Sequence, residues 1–114
     1  MAHHELADRL GEDPVIVRTG DSLELRLREN PSTGFRWEVV ESGEPACALV
    51  HDDFEPGQRA GEPGVRVYRW SANGAGRCTI ALRLRRQWDS PDVAPRRRIG
   101  GTIVVEGPET RAGT

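Results

Sequence analysis

Ser22-Leu23-Glu24-Leu25-Arg26-Leu27-Arg28-Glu29 alternates apolar and charged residues without a break. On a strand, successive side chains point to opposite faces. Leu23, Leu25 and Leu27 then fall on one side, and Glu24, Arg26 and Arg28 on the other. A helix would scatter the leucines around its axis, so the segment reads as a strand with one buried face.

The same reading extends outward. Arg77–Leu84 (RCTIALRL) puts Cys78, Ile80, Leu82 and Leu84 in phase, and Phe35–Val39 (FRWEV) does the same with Phe35, Trp37 and Val39. Pro14–Thr19, Val65–Ser71 and Arg98–Val105 read as further strands, with a weaker one over Ala48–Phe54. Gly- and Pro-rich polar breaks separate them at 19–21, 30–34, 41–45, 55–64, 71–76 and 88–95,. The expectation is an all-β protein, an antiparallel β-sandwich of about seven or eight strands. Leu23, Leu25, Leu27, Phe35, Trp37, Ile80, Leu82, Leu84, Ile103 and Val105 are its predicted core. Residues 1–12 are expected to be a flexible N-terminus, with at best a marginal helix over the first ten. A single domain follows over 13–106, then a flexible tail over 107–114.

The chain has 114 residues, 36% hydrophobic and 30% charged, with a net charge of −2. That suits one folded domain and gives no general attraction to nucleic acid or anionic membrane. No run reaches the ~18 apolar residues of a membrane helix. The polar N-terminus lacks the apolar stretch of a secretory signal, so the sequence as written reads as cytoplasmic. Cys47 and Cys78 are too far apart for a CxxC pair. Cys78 reads as a free buried thiol, with a Cys47–Cys78 disulfide as the alternative.

No catalytic constellation assembles from these residues. Cys47 and His51 share a strand face only across about 13 Å, too far for a nucleophile and its base. His3 and His4 could bind a metal only weakly and read better as part of a disordered terminus, and no phosphate-cradling loop is present. Neither an enzyme nor a cofactor or metal protein is expected. Arg83, Arg85 and Arg86, with Arg96 to Arg98 and Trp88, offer a basic stripe of the kind that binds single-stranded nucleic acid,. The negative net charge and an aromatic content of only 5% favour a solvated sheet face instead,.

The connection Asn30-Pro31-Ser32-Thr33-Gly34-Phe35 stands out. Asn opens the turn, proline fixes one φ, and glycine permits a positive one. A connection this stiff is at once a good turn and a good ligand, because little conformational entropy remains to be lost on binding.

Asn30 to Phe35, followed by Trp37, resembles the N-P-[ST]-T-G-[FY]-x-W signature of the chagasin family, inhibitors of papain-like cysteine proteases. That family carries two more signature loops in the same chain order, a glycine-rich one before a strand and an R-P-[WF] motif after a later one. Gly61-Glu62-Pro63-Gly64 stands before the strand starting at Val65, and Arg86-Gln87-Trp88 follows the strand ending at Leu84. Pro63 departs from the small residues of the glycine loop, and Gln87 stands where the family usually has proline.

The resemblance implies an immunoglobulin-like sandwich with the three loops clustered at one end. It implies Asn30, Pro31, Ser32, Thr33 and Gly34, Gly61 to Gly64, and Arg86, Gln87 and Trp88 as protease-binding residues, in a monomer that occludes the cleft without being cleaved. Chain order agrees independently, since alternate connections of an up-and-down chain fall at the same end of a sandwich. The competing expectation is a non-inhibitory immunoglobulin-like module that binds something else or only stabilises an assembly.

Overall fold

The computed structural model describes residues 1–6 and 10–107. Eight strands follow in order: β1 (His3–Glu5), β2 (Val15–Arg18), β3 (Ser22–Glu29), β4 (Phe35–Ser42), β5 (Cys47–Glu55), β6 (Gly64–Ala72), β7 (Gly76–Arg86) and β8 (Arg97–Glu106). They form two four-stranded sheets, ordered β1-β3-β6-β5 and β2-β8-β7-β4. The longer strands pair antiparallel throughout, while the short N-terminal β1 and β2 add in parallel at the edge of each sheet. Among the described residues no helix is long and apolar enough to cross a membrane.

The core is the set that alternation picks out. Leu23, Leu25, Leu27, Trp37, Ile80, Leu82, Ile103 and Val105 are all buried between the sheets. Two expected members stand apart: Phe35 and Leu84 are only half-buried. Both lie at the ends of their strands, where the sandwich opens, and Phe35 is covered by arginines instead of the opposite sheet. Tyr68 and Trp70 complete the interior, with ring centroids 5.9 Å apart. Cys47 and Cys78 are free thiols buried across the sandwich, their sulfurs 3.6 Å apart. Burial, and then the bond to Cys78, pushes the Cys47 thiol up to about 12, leaving it protonated and inert,.

Two indoles tie the sheets together at opposite ends. Trp37 on β4 donates its Nε1–H to the Arg28 carbonyl on β3 at 2.9 Å, and Trp70 on β6 donates to the Ser42 carbonyl on β4 at 3.0 Å. Glu29, itself buried, completes the first of these joints. One carboxylate oxygen accepts the Trp37 backbone N–H at 2.7 Å, and the other pairs with Arg66 on β6 at 2.8 Å.

The N-terminal expectation needs correction. His3–Glu5 is a strand paired with β3, and Leu6 is fully buried in the core. The residues Ala7, Asp8 and Arg9, and 108–114 of the expected tail, lie outside the described residues. What holds β1 down is Asp21, a side chain that alternation cannot single out. Its carboxylate accepts the Ala2 N–H at 2.8 Å, the Arg18 N–H at 2.9 Å and a 2.8 Å bond with His4 Nε2. His3 Nδ1 lies 2.6 Å from Ser22 Oγ, so both histidines serve this attachment.

Strand edges explain the weaker sequence signals. β4 and β5 each close one side of a sheet, and each carries a register shift, between Val39 and Glu41 and between Leu49 and His51. A bulge breaks alternation and turns a side chain outward, which leaves Val40 and Val50 exposed,.

Two outcomes follow for stability. The Asp21 carboxyl lies well below its ordinary value of 3.8, held there chiefly by the Ala2 and then the Arg18 backbone N–H, with His4 adding to them. A depressed acid stabilises the fold above its unfolded pKa and loses that contribution as pH falls through the folded value. Urea midpoints should therefore decline from about pH 4 downward, and Asp21→Asn should lower stability at neutral pH and flatten that acid limb. Glu29→Ala strands the Trp37 N–H and the Arg66 guanidinium at a buried site. It should cost about 3 kcal/mol or more in urea unfolding, with Glu29→Gln losing less.

Candidate functional site

Three connections, β3–β4, β5–β6 and β7–β8, emerge at one end of the sandwich, and their roles differ by topology. The first crosses from one sheet to the other. The second is a hairpin within the β3 sheet, and the third a hairpin within the β4 sheet. A crossover flanked by a hairpin from each sheet must sit in the middle.

The crossover is a rigid turn. Pro31–Thr33 forms a single 3-10 turn capped by Asn30, whose Oδ1 accepts the Ser32 N–H at 3.1 Å and the Ser32 hydroxyl at 2.7 Å. The Thr33 hydroxyl donates to the Asn30 carbonyl at 2.8 Å, and the Gly34 N–H donates to the Pro31 carbonyl at 3.1 Å. Pro31, Ser32 and Thr33 are all exposed, yet the turn's polar groups are largely satisfied within it. The segment reaches solvent already ordered.

Gly34 closes the turn at φ 79°, in the left-handed region,. A β-carbon there would stand 2.1 Å from Cη2 of Trp88. The glycine therefore serves twice, admitting the backbone and seating the indole. Trp88 is 69% exposed while resting on that glycine, with the Arg86 guanidinium 5.9 Å from its ring.

Gln87 gives the third loop no φ restraint of its own, but hydrogen bonds supply one. The Asp89 N–H donates to the Arg86 carbonyl at 3.2 Å, and Arg85 Nη2 donates to the Asp89 carbonyl at 2.7 Å. At the loop's far end the Arg96 N–H returns to the Leu84 carbonyl at 2.8 Å.

In the second loop Gly61 and Glu62 are exposed and Pro63 is half-buried. The Glu62 N–H donates to the Arg59 carbonyl at 3.1 Å, and the Arg59 N–H donates back to Glu62 Oε2 at 3.3 Å. Gly64 differs from its expected role. It is buried as the first residue of β6, and a β-carbon on it would lie 2.3 Å from the Glu55 carbonyl oxygen. It fits the hairpin to the sheet and offers no surface to a partner. Gln58, Arg59 and Ala60, which the motif leaves unmarked, stand exposed along a shallow groove shared with Pro31 and Ser32. Their signal in the sequence is only their place before the glycines.

The expected residues thus converge, apart from Gly64. Trp88 touches the Asn30–Gly34 turn from one side and the 58–62 segment flanks it on the other. The surface has a stiff tip whose polar groups are largely bonded within the turn, one large exposed indole and several guanidiniums. The one thiol–imidazole pair weighed as nucleophile and base does not come together: His51 is exposed on β5 and Cys47 is buried against Cys78. Among the described residues no cluster of histidine, cysteine or carboxylate side chains could hold a metal. Such a surface can bind and occlude.

Comparison with known proteins gives a consistent set. Residues 16–103 match the family model described as chagasin family peptidase inhibitor. Amoebiasin-2 of Entamoeba histolytica is 26% identical over 108 residues, covering 91% of this chain and 86% of that protein. The crystal structure of the cysteine protease inhibitor EhICP2 from Entamoeba histolytica superimposes with a TM-score of 0.77 at 24% identity, covering 92% of this chain and 96% of that one. PbICP-C, solved in complex with falcipain-2, superimposes with a TM-score of 0.56 at 16% identity, covering 95% and 100%.

The seat under Trp88 is directly testable. Trp37 and Trp70 are buried, so iodide quenching of tryptophan fluorescence reports Trp88. Gly34→Ala should strain the backbone by about 1–2 kcal/mol and lift the indole off the turn. Quenching should rise while the fold persists.

Proposed function

Because the chain belongs to the chagasin family of peptidase inhibitors, we propose that it inhibits papain-like cysteine proteases by wedging the three loops into their active-site cleft. The observation that carries this reading is the convergence of a pre-ordered crossover turn with an exposed indole seated on it. Amoebiasin-2 is similar in sequence, EhICP2, a cysteine protease inhibitor, shares its fold, and PbICP-C meets falcipain-2 in a complex. The chain is an inhibitor and not an enzyme.

Asn30 to Gly34 form the tip and enter beside the target's cysteine and histidine. Pro31, Ser32 and Thr33 stand nearest the nucleophile. The turn's internal bonds keep the backbone helical, with ψ far from the extended value of a strand. A scissile peptide must lie open to attack, and here the Asn30 and Pro31 carbonyls are engaged within the turn. Occlusion without cleavage follows.

The flanking loops grip the walls. Trp88 is the principal apolar anchor, since exposed tryptophans carry much of the energy at protein interfaces. Arg86 accompanies it on one wall, Gln87 sits at the bend between them, and Gly61, Glu62 and Pro63 face the other. Because the tip is ordered before contact, association forfeits little loop entropy.

Titration of papain with the purified protein at micromolar concentration tests this, with loss of peptidase activity expected. Trp88→Ala should weaken inhibition by about 2 kcal/mol or more with an unchanged melting temperature. Thr33→Ala should cost about 1 kcal/mol, by loosening the turn through its lost bond to the Asn30 carbonyl. A wild type that leaves papain and its relatives untouched, or a Trp88→Ala protein that unfolds, returns the chain to the class of non-inhibitory modules.

A further inference from the structure

Among the described residues several surface arginines, Arg18, Arg36, Arg59, Arg77 and Arg98 among them, have no ion pair. Those at the loop end are set apart by sharing one cleft and resting on aromatic rings. Arg26, Arg66, Arg69, Arg83 and Arg85 all pair with carboxylates of the chain. Arg28, Arg86, Arg96 and Arg97 line one open cleft of about 600 Å³ beside the crossover turn. Among the described residues none of these four has a carboxylate within ion-pairing distance. The one acid in the cleft, Glu29, is already committed to the Trp37 N–H and to Arg66.

Aromatic rings hold three of the four. The Arg86 guanidinium lies 4.6 Å and that of Arg96 5.2 Å from the centroid of Phe35, and Arg97 lies 5.7 Å from the ring of Trp37. Stacking occupies the flat face of a guanidinium and leaves its N–H edge free for a planar, bidentate acceptor. Two cations gathered at one ring repel each other, and an arriving anion relieves that repulsion. The cluster also adjoins Trp88 through Arg86, at the end that meets a target.

We propose that Arg28, Arg86, Arg96 and Arg97 form a docking surface for carboxylates on the cleft rim of the target protease. It steers association and selects acidic-rimmed enzymes among papain-like proteases. This rests on the inhibitory reading above. A single-stranded nucleic acid fits less well, because successive bases need several exposed aromatic faces, and beside the cluster only Trp88 offers one while those of Phe35 and Trp37 are taken by arginine,. Charge complementarity of this kind acts mainly on the association rate and weakens with salt.

The test measures association and inhibition constants against one papain-like protease rich in rim Asp and Glu, and against its variant with those residues changed to amides. Wild type should inhibit both, associating about tenfold faster with the acidic form at roughly 50 mM salt and equally fast at roughly 500 mM. Arg96→Gln/Arg97→Gln should abolish the difference at low salt while leaving the amide form's rate unchanged. Arg96→Glu/Arg97→Glu should reverse it. Both arginines are exposed, so melting temperature serves as the fold control, with single Arg96→Gln in reserve.

Equal, salt-insensitive rates for wild type on the two rims overturn the proposal while inhibition stands. A wild type that inhibits neither form overturns the inhibitory reading, and the proposal with it. Binding of an oligo-dT single strand that needs Arg96 and Arg97, with protease rates indifferent to them, reassigns the cluster to nucleic acid.

Discussion

The joint at Glu29 is the constraint on which the binding end depends. At this residue the chain leaves one sheet, and within eight residues it must be hydrogen-bonded into the other. The Glu29 carboxylate takes the Trp37 N–H from β4 and Arg66 from β6, while the Trp37 indole returns to the Arg28 carbonyl. Both ends of the crossover are thereby fixed to buried structure. A buried carboxylate is costly unless fully partnered, and here both oxygens are engaged. Without that anchorage the turn at Pro31–Thr33 could keep its internal bonds and still swing as a body.

Order at the tip is layered on this joint. Asn30 caps the 3-10 turn, Thr33 ties back to it, and Gly34 closes it with a positive φ while giving Trp88 a floor. The indole's position thus depends on the crossover although it belongs to a different hairpin. Coupling of this sort lets a mostly exposed side chain hold one orientation without burial. In the third loop, bonds from Asp89 to Arg86 and from Arg85 to Asp89 restrain the bend around Gln87, where a proline would have done so covalently.

Sequence alone made the sandwich readable because strand burial has a period of two and the leucines of Ser22–Glu29 obey it. The tip was equally readable, since Asn, Pro and Gly each have a backbone reason to stand where they do. Four features stayed hidden, each for a physical reason. β1 depends on Asp21 caps from across the chain, and no local pattern encodes a contact between Ala2 and Asp21. β4 and β5 run past the point where alternation stops, because bulges shift their register. Gly64 belongs to the scaffold because Glu55 and Phe54 occupy the space a side chain would need, which only the folded hairpin reveals. Phe35 was expected inside, and the strand end that releases it also makes it a platform for Arg86 and Arg96.

The topology separates what must be constant from what can vary. A crossover between sheets cannot lengthen freely, because both its ends are held by Glu29 and Trp37. The two hairpins are constrained only at their own stems, and insertions or new charges at their tips leave the interior untouched. On the inhibitory reading proposed above, affinity for a shared catalytic centre therefore belongs in the crossover, and discrimination among proteases in the hairpins. The unpaired arginines fit that division. Arg86, Arg96 and Arg97 come from the stem of one hairpin, and they rest on rings contributed by the strand that follows the crossover. Charge placed there leaves the tip's geometry intact, so selectivity can change without loss of the wedge.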